Sequence, residues 1–184
     1  GAGFTYNNDA EFENHGQLIL HGELARKDAG LNFDIDVAPS TIYFNSKEWN
    51  IMPSSINILG HDVTVDSFGL TSGDEAITIN GRSSDTQNDT LTLSLQRFDI
   101  SLINSLIPGI GISGAITGNA QLASLRDKKM LDINMLCDST MIADTPLGVL
   151  EIGGNWDAGD KSIGLSAVNK LNGEHTINAS GKLL

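Results

Sequence analysis

The chain has 184 residues, of which 40% are hydrophobic and 18% charged, a balance typical of one globular β domain and not of a disordered segment. A net charge of −12 argues against nucleic acid as a partner, because phosphate recognition needs clustered lysine and arginine, and equally against a bare anionic membrane surface. The single cysteine, Cys137, excludes an internal disulfide framework.

Apolar and polar residues alternate with a period of two along most of the chain, which predicts about a dozen β-strands joined mostly by hairpins. Each strand then has one apolar face and one face of Thr, Ser, Asn and Asp. No apolar run is long enough to cross a bilayer, and no signal peptide is recognised. Turn residues separate the predicted strands at Asn7-Asn8-Asp9, Ala38-Pro39-Ser40, Pro53-Ser54, Gly73-Asp74, Gln87-Asn88-Asp89, Ala158-Gly159-Asp160 and Asn172-Gly173.

The hairpin within residues 76–101 shows how strongly the register is set. Leu91, Leu93 and Leu95 point to one face, and a slip by one residue would turn all three to solvent. At ~1.5–3 kcal/mol for each side chain, the slip costs roughly 5–9 kcal/mol, comparable with the stability of a whole domain. The apolar face is therefore the feature that this pattern specifies.

One segment departs from alternation. In "DISLINSLIPG" the residues Leu102, Ile103, Leu106 and Ile107 have helical spacing, which predicts one short helix near 101–107. Asp99 or Ser101 would cap its start and Pro108-Gly109 would end it. A second helical turn is predicted within Leu122–Lys129.

Five glycines fall in phase with the apolar residues of their strands. Glycine at such positions permits a bend or a close approach of the facing strand, although glycine also simply ends strands, and the sequence leaves both interpretations open. The five are Gly22, Gly81, Gly118, Gly154 and Gly181.

The residue types that carry catalysis do not occur in recognisable patterns. His15, His21, His61 and His175 have no metal-ligand spacing, and the loop with Asp85, Asn88 and Asp89 lacks the order of a calcium loop. There is no G-x-S-x-G elbow and no phosphate-binding loop. We therefore predict a protein without enzymatic activity, catalytic residues, cofactor or metal.

Other polar and reactive residues fit structural roles. Asp34, Asp36 and Asp132 alternate with apolar residues and are expected on solvated faces, although the distance between carboxylates that would decide a glycosidase pair is not given by a sequence. Cys137 and both tryptophans, Trp49 and Trp156, are expected to be packed in the interior.

Residues 48–101, "EWNIMPSSINILGHDVTVDSFGLTSGDEAITINGRSSDTQNDTLTLSLQRFDIS", resemble the TamB family of AsmA-like proteins, in particular its Bacteroidetes-type members. "ISGAITGNAQL" and "PLGVLEIGGNWD" resemble that family as well, so that the resemblance covers residues 31–184. It implies that residues 1–184 are a single β-rich segment of a larger protein that lies in the periplasm and is anchored in the inner membrane.

The resemblance further implies an elongated, curved or U-shaped, β-taco-like sheet, mostly antiparallel, with an apolar interior. Such proteins act in phospholipid transport between inner and outer membrane and in outer-membrane protein assembly with a BamA/TamA-like partner. The trough would hold phospholipid acyl chains by nonspecific burial, or would close into a core. The residues expected to line it are Leu18, Leu20, Phe33, Ile35, Ile56, Ile58, Val63, Val65, Ile77, Ile79, Leu91, Leu93, Leu95, Ile133, Met135, Ile152, Ile163, Leu165 and Ile177.

Alternation alone leaves a second architecture open. Two sheets packed face to face would give an extracellular β-sandwich or an adhesin-type binding module with the same pattern. Unpaired strands at the sheet edges would also allow two copies of the segment to dimerise edge to edge.

Overall fold

A computed structural model describes residues 2–4, 20–27, 30–44, 47–84, 89–105, 109, 111–123, 130–157, 159, 161–171 and 174–183. Strands make up 84% of these residues, and the described part contains no α-helix. All of its strands belong to one large antiparallel sheet, which is curved and does not close into a barrel. The predicted all-β, mostly antiparallel fold is confirmed.

Fourteen strands and one 3₁₀ helix are described. The strands are β1 (Ala2–Phe4), β2 (Leu20–Lys27), β3 (Gly30–Val37), β4 (Ser40–Phe44), β5 (Lys47–Ile51), β6 (Ser54–Leu59), β7 (Asp62–Ser72), β8 (Glu75–Ser83), β9 (Leu91–Asp99), β10 (Ile112–Ala123), β11 (Met130–Ile142), β12 (Thr145–Asp157), β13 (Ser162–Leu171) and β14 (Glu174–Leu183); the 3₁₀ helix η1 (Ile100–Ser105) lies between β9 and β10.

The sheet is a meander, in which each strand pairs with its neighbours in the chain. The order is β1-β2-β3-β6-β7-β8-β9-β10-β11-β12-β13-β14. The strands β4 and β5 leave this path as a hairpin inserted between β3 and β6, and β5 also pairs with β7. This topology follows from turn residues placed at nearly every reversal, since antiparallel neighbours need only a short connection.

The register brings the apolar positions of successive strands onto one face. Ile56 is paired with Ile35 on one side and with Val65 on the other. Apolar residues are paired in the same way at the centre of the sheet, where Ile79 of β8 is opposite Leu93 of β9. Near the other end, Trp156 of β12 is opposite Ile163 of β13. Because paired residues of an antiparallel sheet project to the same side, these positions form one continuous surface, which we call the apolar face. The opposite surface is called the polar face.

Among the described strands the register shifts at several points, including positions on β12 and β14. Three of the β-bulges, on β7, β9 and β11, share one feature. Each contains a residue other than glycine with a positive φ, namely Ser67 at 59°, Arg97 at 47° and Ser139 at 53°. The backbone N–H of Ser67 donates to Asn80 Oδ1 at 3.1 Å, and that of Arg97 donates to Thr117 Oγ1 at 3.0 Å. These side chains satisfy donors that the interrupted ladder leaves without a partner. Bulges bend a strand and increase its twist, which accounts for part of the sheet's curvature.

A compact core lies at one end of the apolar face. Ile100 of η1, Ile116 of β10 and Cys137 of β11 are 6%, 8% and 0% exposed and form its centre. Asn104 holds η1 in place, because its amide donates to the carbonyl of Ile112 at 2.8 Å and accepts from the N–H of Ile112 at 2.9 Å. The side chain thus makes the two hydrogen bonds that a neighbouring strand would otherwise make with Ile112, since the described residues of β9 pair with β10 only from Ala115 onward.

The short helix predicted near 101–107 is present as η1, with the tighter 3₁₀ geometry. Of the two predicted caps, Asp99 is used, since its Oδ1 accepts the N–H of Ser101 at 2.9 Å. The second helical turn, predicted from Leu122, is wrong for Leu122 and Ala123, which belong to β10. Its remaining residues, like the predicted end of η1 at residues 106–108, lie outside the described residues.

Several predicted turns can also be compared with the structure. Gly73-Asp74 is the turn between β7 and β8. The two predicted turn signals that contain proline, at Pro39 and Pro53, separate β3 from β4 and β5 from β6, and the β4–β5 hairpin lies beyond them. The turns predicted at 7–9 and 172–173, and parts of those at 87–89 and 158–160, lie outside the described residues.

Candidate functional site

The apolar face is only partly covered by the rest of the chain. Among the residues expected to line the trough, Val65 is buried at 7% exposure, whereas Phe33 and Leu165 are 39% and 41% exposed. Thirteen more side chains of the set, distributed over β3, β6–β9 and β11–β13, are half-buried. A single layer of strands covers one side of each of these side chains and leaves the other side open. Among the described residues, most of the side chains expected to line the trough therefore keep part of their surface accessible to solvent.

The dimensions of the apolar face follow from sheet geometry. From β3 to β13 the sheet order includes nine strands, and at about 4.8 Å per step they extend about 38 Å across the sheet. Three successive inward positions along a strand, such as Leu91 to Leu95, cover about 14 Å. The projected area of the face is roughly 500 Å². One acyl chain spanning a membrane leaflet is about 15 Å long, so the face is large enough for one or more.

Small residues occupy the middle of the face. Gly118 of β10 is paired with Leu95 on one side and Met135 on the other. Ala120 is likewise placed between Leu93 and Ile133. Because large side chains flank these two positions, the surface is lower along β10 than along β9 and β11. This low stretch is two residues long, because Ile116 and Leu122 project from the same face of β10 on either side of it.

The five glycines identified from the sequence all lie on the apolar face. Gly81 has a φ of 109°, and a Cβ built there would come within 2.2 Å of the carbonyl oxygen of Thr90. At Gly154 the side chains of Ile133 and Leu165 instead occupy the free space, with their terminal carbons 3.0 Å from the position of a Cβ. The interpretation that glycine permits close approach is thus confirmed at Gly81. At the end of the sheet, Gly181 has no atom within 4 Å of a built Cβ.

On the polar face the described residues form open depressions. A shallow depression of about 480 Å³ crosses β10 to β13 and is bordered by Thr117, Asn134, Glu151 and Ser166 together with Leu136. Glu151 is paired there with Lys170 at 2.5 Å, and both side chains are more than one third exposed. An open depression with one exposed ion pair does not orient groups for chemistry.

The candidate chemical residues are distributed as expected for structural roles. His21, Asp34, Asp36 and Asp132 are exposed on the polar face, and His61 is exposed in the turn before β7. Within the described ranges there is no group of three or more His, Cys, Asp or Glu side chains that would hold a metal ion.

Two groups have displaced pKa values, and each displacement has a local cause. Burial raises the pKa of the Cys137 thiol, which is wholly inaccessible to solvent. A hydrogen bond from the hydroxyl of Tyr43 to Glu48 at 2.7 Å raises the pKa of that exposed phenol. A buried thiol with a raised pKa is a poor nucleophile. The prediction that Cys137 is a small buried hydrophobic residue is confirmed.

The structure places most of the expected trough residues together and adds others. Leu18 lies outside the described residues, and for Leu20 and Ile177 only the backbone position in β2 and β14 is described. Phe68 and Phe98 also lie on the apolar face. Each is an odd number of residues away from the apolar residues earlier in its strand, Val65 and Leu95, so that strict alternation would place it on the opposite face. The bulges on β7 and β9 add one residue to each strand and thereby return these side chains to the apolar face. Strict alternation therefore missed both, and the residues at positive φ are not glycines that would have indicated a bulge.

Comparisons with known proteins give no relative for this chain. No family model, no curated protein and no solved structure matches it. Among the described residues, no helix is both long and apolar enough to span a membrane.

Proposed function

We propose that this chain is a non-enzymatic segment of a periplasmic TamB-like protein, and that its apolar face forms part of a path for phospholipid between the inner and the outer membrane. One observation carries the proposal: a continuous apolar face crosses the whole meander and stays half-open to solvent. An acyl chain laid on this face removes apolar surface of both molecules from water, which is favourable without any directional contact.

The form of the face supports lipid better than a compact ligand. Compact ligands are held in enclosed pockets with a few convergent polar groups. The apolar face is instead long, and most polar side chains of its strands lie on the other side of the sheet. Ser83 and Asn169, which are paired with Val63 and Leu150, are buried exceptions on the apolar side. A surface without convergent polar groups holds hydrocarbon without selecting the headgroup and without fixing its position. Such weak selectivity suits transport, in which a lipid must move on.

The alternative of an extracellular β-sandwich or adhesin-type module is less well supported. A sandwich buries the apolar face of one sheet against that of a second sheet. The described strands form one sheet, and most of the described side chains on its apolar face are only half-buried. The large exposed aromatic residues that frequently form a binding surface are also few, since aromatic residues make up 5% of the chain.

The remaining parts of the proposal rest on the resemblance to the TamB family. They are a periplasmic location, an anchor of the larger protein in the inner membrane, and a BamA/TamA-like partner in the outer membrane. The outer edge of β14 pairs with no described strand. We propose that it extends the sheet by pairing with another strand, either of the same protein or of a second copy in an edge-to-edge dimer.

Two substitutions on one strand test the lipid proposal. Ile133 lies on the apolar face of β11 and is half-buried, whereas Leu136 lies on the polar face of the same strand and is 38% exposed. Binding of a phosphatidylethanolamine with a fluorescent acyl chain is measured for Ile133→Asp and for Leu136→Asp, with far-UV circular dichroism to confirm that both variants fold. We expect Ile133→Asp to weaken binding at least about tenfold, because a carboxylate on the apolar face loses its hydration when hydrocarbon covers it.

The same experiment defines failure. Leu136→Asp should bind as tightly as the unsubstituted chain to within about twofold, since surface changes of this kind are nearly neutral. A third variant, Leu93→Asp on β9, should behave as Ile133→Asp does. Equal binding by all variants, or no binding by the unsubstituted chain, would show that the apolar face does not hold acyl chains.

A further inference from the structure

The strand β14 forms one edge of the described sheet, and β1 forms the other. β1 has three residues, whereas β14 has ten, and the pairs of β14 with β13 follow one another without a shift from Asn178 to Leu183. The backbone N–H and C=O groups of β14 that point away from β13 pair with no described strand. A regular edge of this length is a template onto which another strand can add.

This edge has little of the protection that sheet edges of soluble proteins normally carry. Such edges are guarded by proline, by bulges or by charged side chains, above all lysine. From Asn178 to Leu183 there is neither a proline nor a register shift, all six residues are exposed, and Lys182 is the one charged residue. Its ammonium group forms an ion pair with Asp157 of β12 at 3.5 Å, on the inner side of β14. The lysine is thus directed away from the free edge.

The apolar side of β14 also leaves space that the described chain does not fill. Leu183 is 60% exposed, and Leu165 of the neighbouring β13 is 41% exposed. Gly181, which is paired with Leu165, has no atom within 4 Å of a built Cβ, whereas each of the other four glycines of the apolar face has one. A glycine inside a strand weakens it and often marks a close approach by another segment. At Gly181 no segment of the described chain makes that approach.

The sequence of β14 is complementary to itself in an antiparallel pair of two copies. The two apolar faces lie on the same side of a joint sheet only if apolar positions are opposite apolar positions. A two-fold axis through Gly181 meets this condition and brings Leu183 opposite Ala179 of the second copy. An axis through Ser180 also meets it and brings Leu183 opposite Ile177. In both registers the exposed leucine gains an apolar neighbour.

The adjacent registers are unfavourable. An axis through Lys182 places the two lysines opposite each other, and like charges directly opposite are destabilising. An axis through Ala179 brings Leu183 to the register shift near the start of β14, where the regular pairing ends. The axis is therefore confined to the two positions above.

We infer that β14 binds a second copy of this chain, strand against strand and antiparallel, with the two-fold axis at Ser180 or Gly181. The inference rests on the part of the proposed function in which β14 extends the sheet, and it names the partner. The dimer joins two apolar faces side by side on one surface of a wider sheet. A contact between two edge strands is small compared with a standard interface, so that monomer and dimer exchange with concentration.

The charge of the chain gives this dimer a characteristic salt dependence. Each copy has a net charge of −12, so that two copies repel each other and salt screens the repulsion. In both registers Lys182 is opposite an uncharged residue, Ser180 or Asn178, and no ion pair across these positions is weakened by salt. We expect the dimer to be at least about twofold tighter at about 300 mM than at about 50 mM sodium chloride.

Single cysteines locate the axis. In a Cys137→Ala background, Ser180→Cys, Gly181→Cys and Asn178→Cys are oxidised, and the disulfide-linked dimer is quantified on a non-reducing gel. A cysteine at the axis faces its copy at about 5 Å between Cα atoms, within reach of a disulfide. Cysteines at position 178 are at least about 14 Å apart in either register and serve as the matched control. We expect Ser180→Cys or Gly181→Cys to cross-link at least about tenfold more than Asn178→Cys.

A substitution of the exposed leucine tests the contact without a covalent bond. Sedimentation equilibrium of the chain over a range of concentrations measures the dissociation constant of the dimer. Leu183→Ser should weaken the dimer at least about fivefold, because the leucine loses the burial that its apolar neighbour provides. Leu136→Ser, at a leucine that is 38% exposed on the polar face of β11, should leave the dissociation constant unchanged.

The outcomes separate this inference from the proposed function. A chain that stays monomeric at millimolar concentration overturns the inference, and the free edge of β14 is then left to a strand of the same protein. Equal cross-linking at all three cysteine positions, or equal dissociation constants of the Leu183→Ser and unsubstituted chains, also overturns it. None of these results changes the binding of acyl chains, which the Ile133→Asp and Leu136→Asp variants report separately.

Discussion

The glycines of the apolar face allow a graded prediction of stability, and Gly118 is the most demanding position. Its φ is 151°, and a Cβ built there comes within 2.2 Å of the carbonyl oxygen of Asn134 and 2.6 Å of Met135 Cα. Both contacts are with the backbone of β11, which cannot rotate away as a side chain can. Gly118→Ala should therefore cost about 1–3 kcal/mol in backbone strain and about the same again in displacement of β11. The total of roughly 2–6 kcal/mol is a large part of a typical stability of about 5–15 kcal/mol.

Two other glycines of the same face serve as controls. A Cβ at Gly154 meets side-chain atoms only, the terminal carbons of Ile133 and Leu165 at 3.0 Å and the Cβ of Ile133 at 3.3 Å, so that Gly154→Ala should cost about 1 kcal/mol. A Cβ at Gly181 meets nothing within 4 Å, and Gly181→Ala should be neutral or stabilise by up to about 1 kcal/mol through the unfolded chain.

Urea unfolding, monitored by far-UV circular dichroism and extrapolated linearly to zero urea, measures all three variants. The expected order of stability is Gly181→Ala, then Gly154→Ala, then Gly118→Ala. An equal loss of stability in the three variants would refute the reasoning, because the effect would then come from strand propensity and not from close approach of β11.

Three further changes are predicted. Alkylation of Cys137 should be slow until the protein unfolds, because the thiol is buried and its pKa is raised in the folded state. The free energy of unfolding relative to that of Cys137→Ala should be constant below pH ~8.5. It should fall as the pH rises above that value, because the thiol of the unfolded chain ionises there and the buried thiol does not. Asn104→Ala removes both hydrogen bonds to Ile112 and should lower the free energy of unfolding by about 1–3 kcal/mol, whereas a surface Asn→Ala control should have no effect. Glu75, which is paired with Lys47, has a side chain that is 11% exposed, whereas Asp74, which is paired with Arg97, is 70% exposed. Glu75→Gln should therefore destabilise the protein more than Asp74→Asn. Equal unfolding midpoints of the two variants would contradict this.

Much of the sheet is predictable from the sequence because a period of two is a local property of a strand. Leu91, Leu93 and Leu95 needed no information from other strands to be placed on one face, and the register with Ile77 and Ile79 follows from the short loop and the shared apolar side. The 3₁₀ helix was also predictable, because "DISLINS" breaks the alternation and contains its own cap at Asp99.

The features that the sequence did not reveal depend on contacts between distant residues or on unusual backbone at ordinary residues. The turn between β11 and β12 is formed by Ala143 and Asp144 at φ 46° and 64°, without the glycine or asparagine that normally indicates such a turn. The fold of the β4–β5 hairpin onto Phe98 is a contact between residues 49 positions apart, and no local pattern reports it. The half-open state of the apolar face belongs to the same class, because alternation is identical in an open trough and in a closed sandwich.

The meander has a consequence for how the chain folds. Since nearly every strand pairs with its neighbour in the chain, most of the sheet forms by adding one strand at a time to an existing hairpin, each time closing only a short loop. Such a topology has a lower contact order than a Greek-key sandwich of equal size and should fold faster. The hairpins at the two edges have only one neighbour each, and amide hydrogen exchange should begin there and reach β8 to β12 last. Whole hairpins added or removed at an edge would leave the register of the remaining strands unchanged, so that the length of this sheet is set by the number of hairpins.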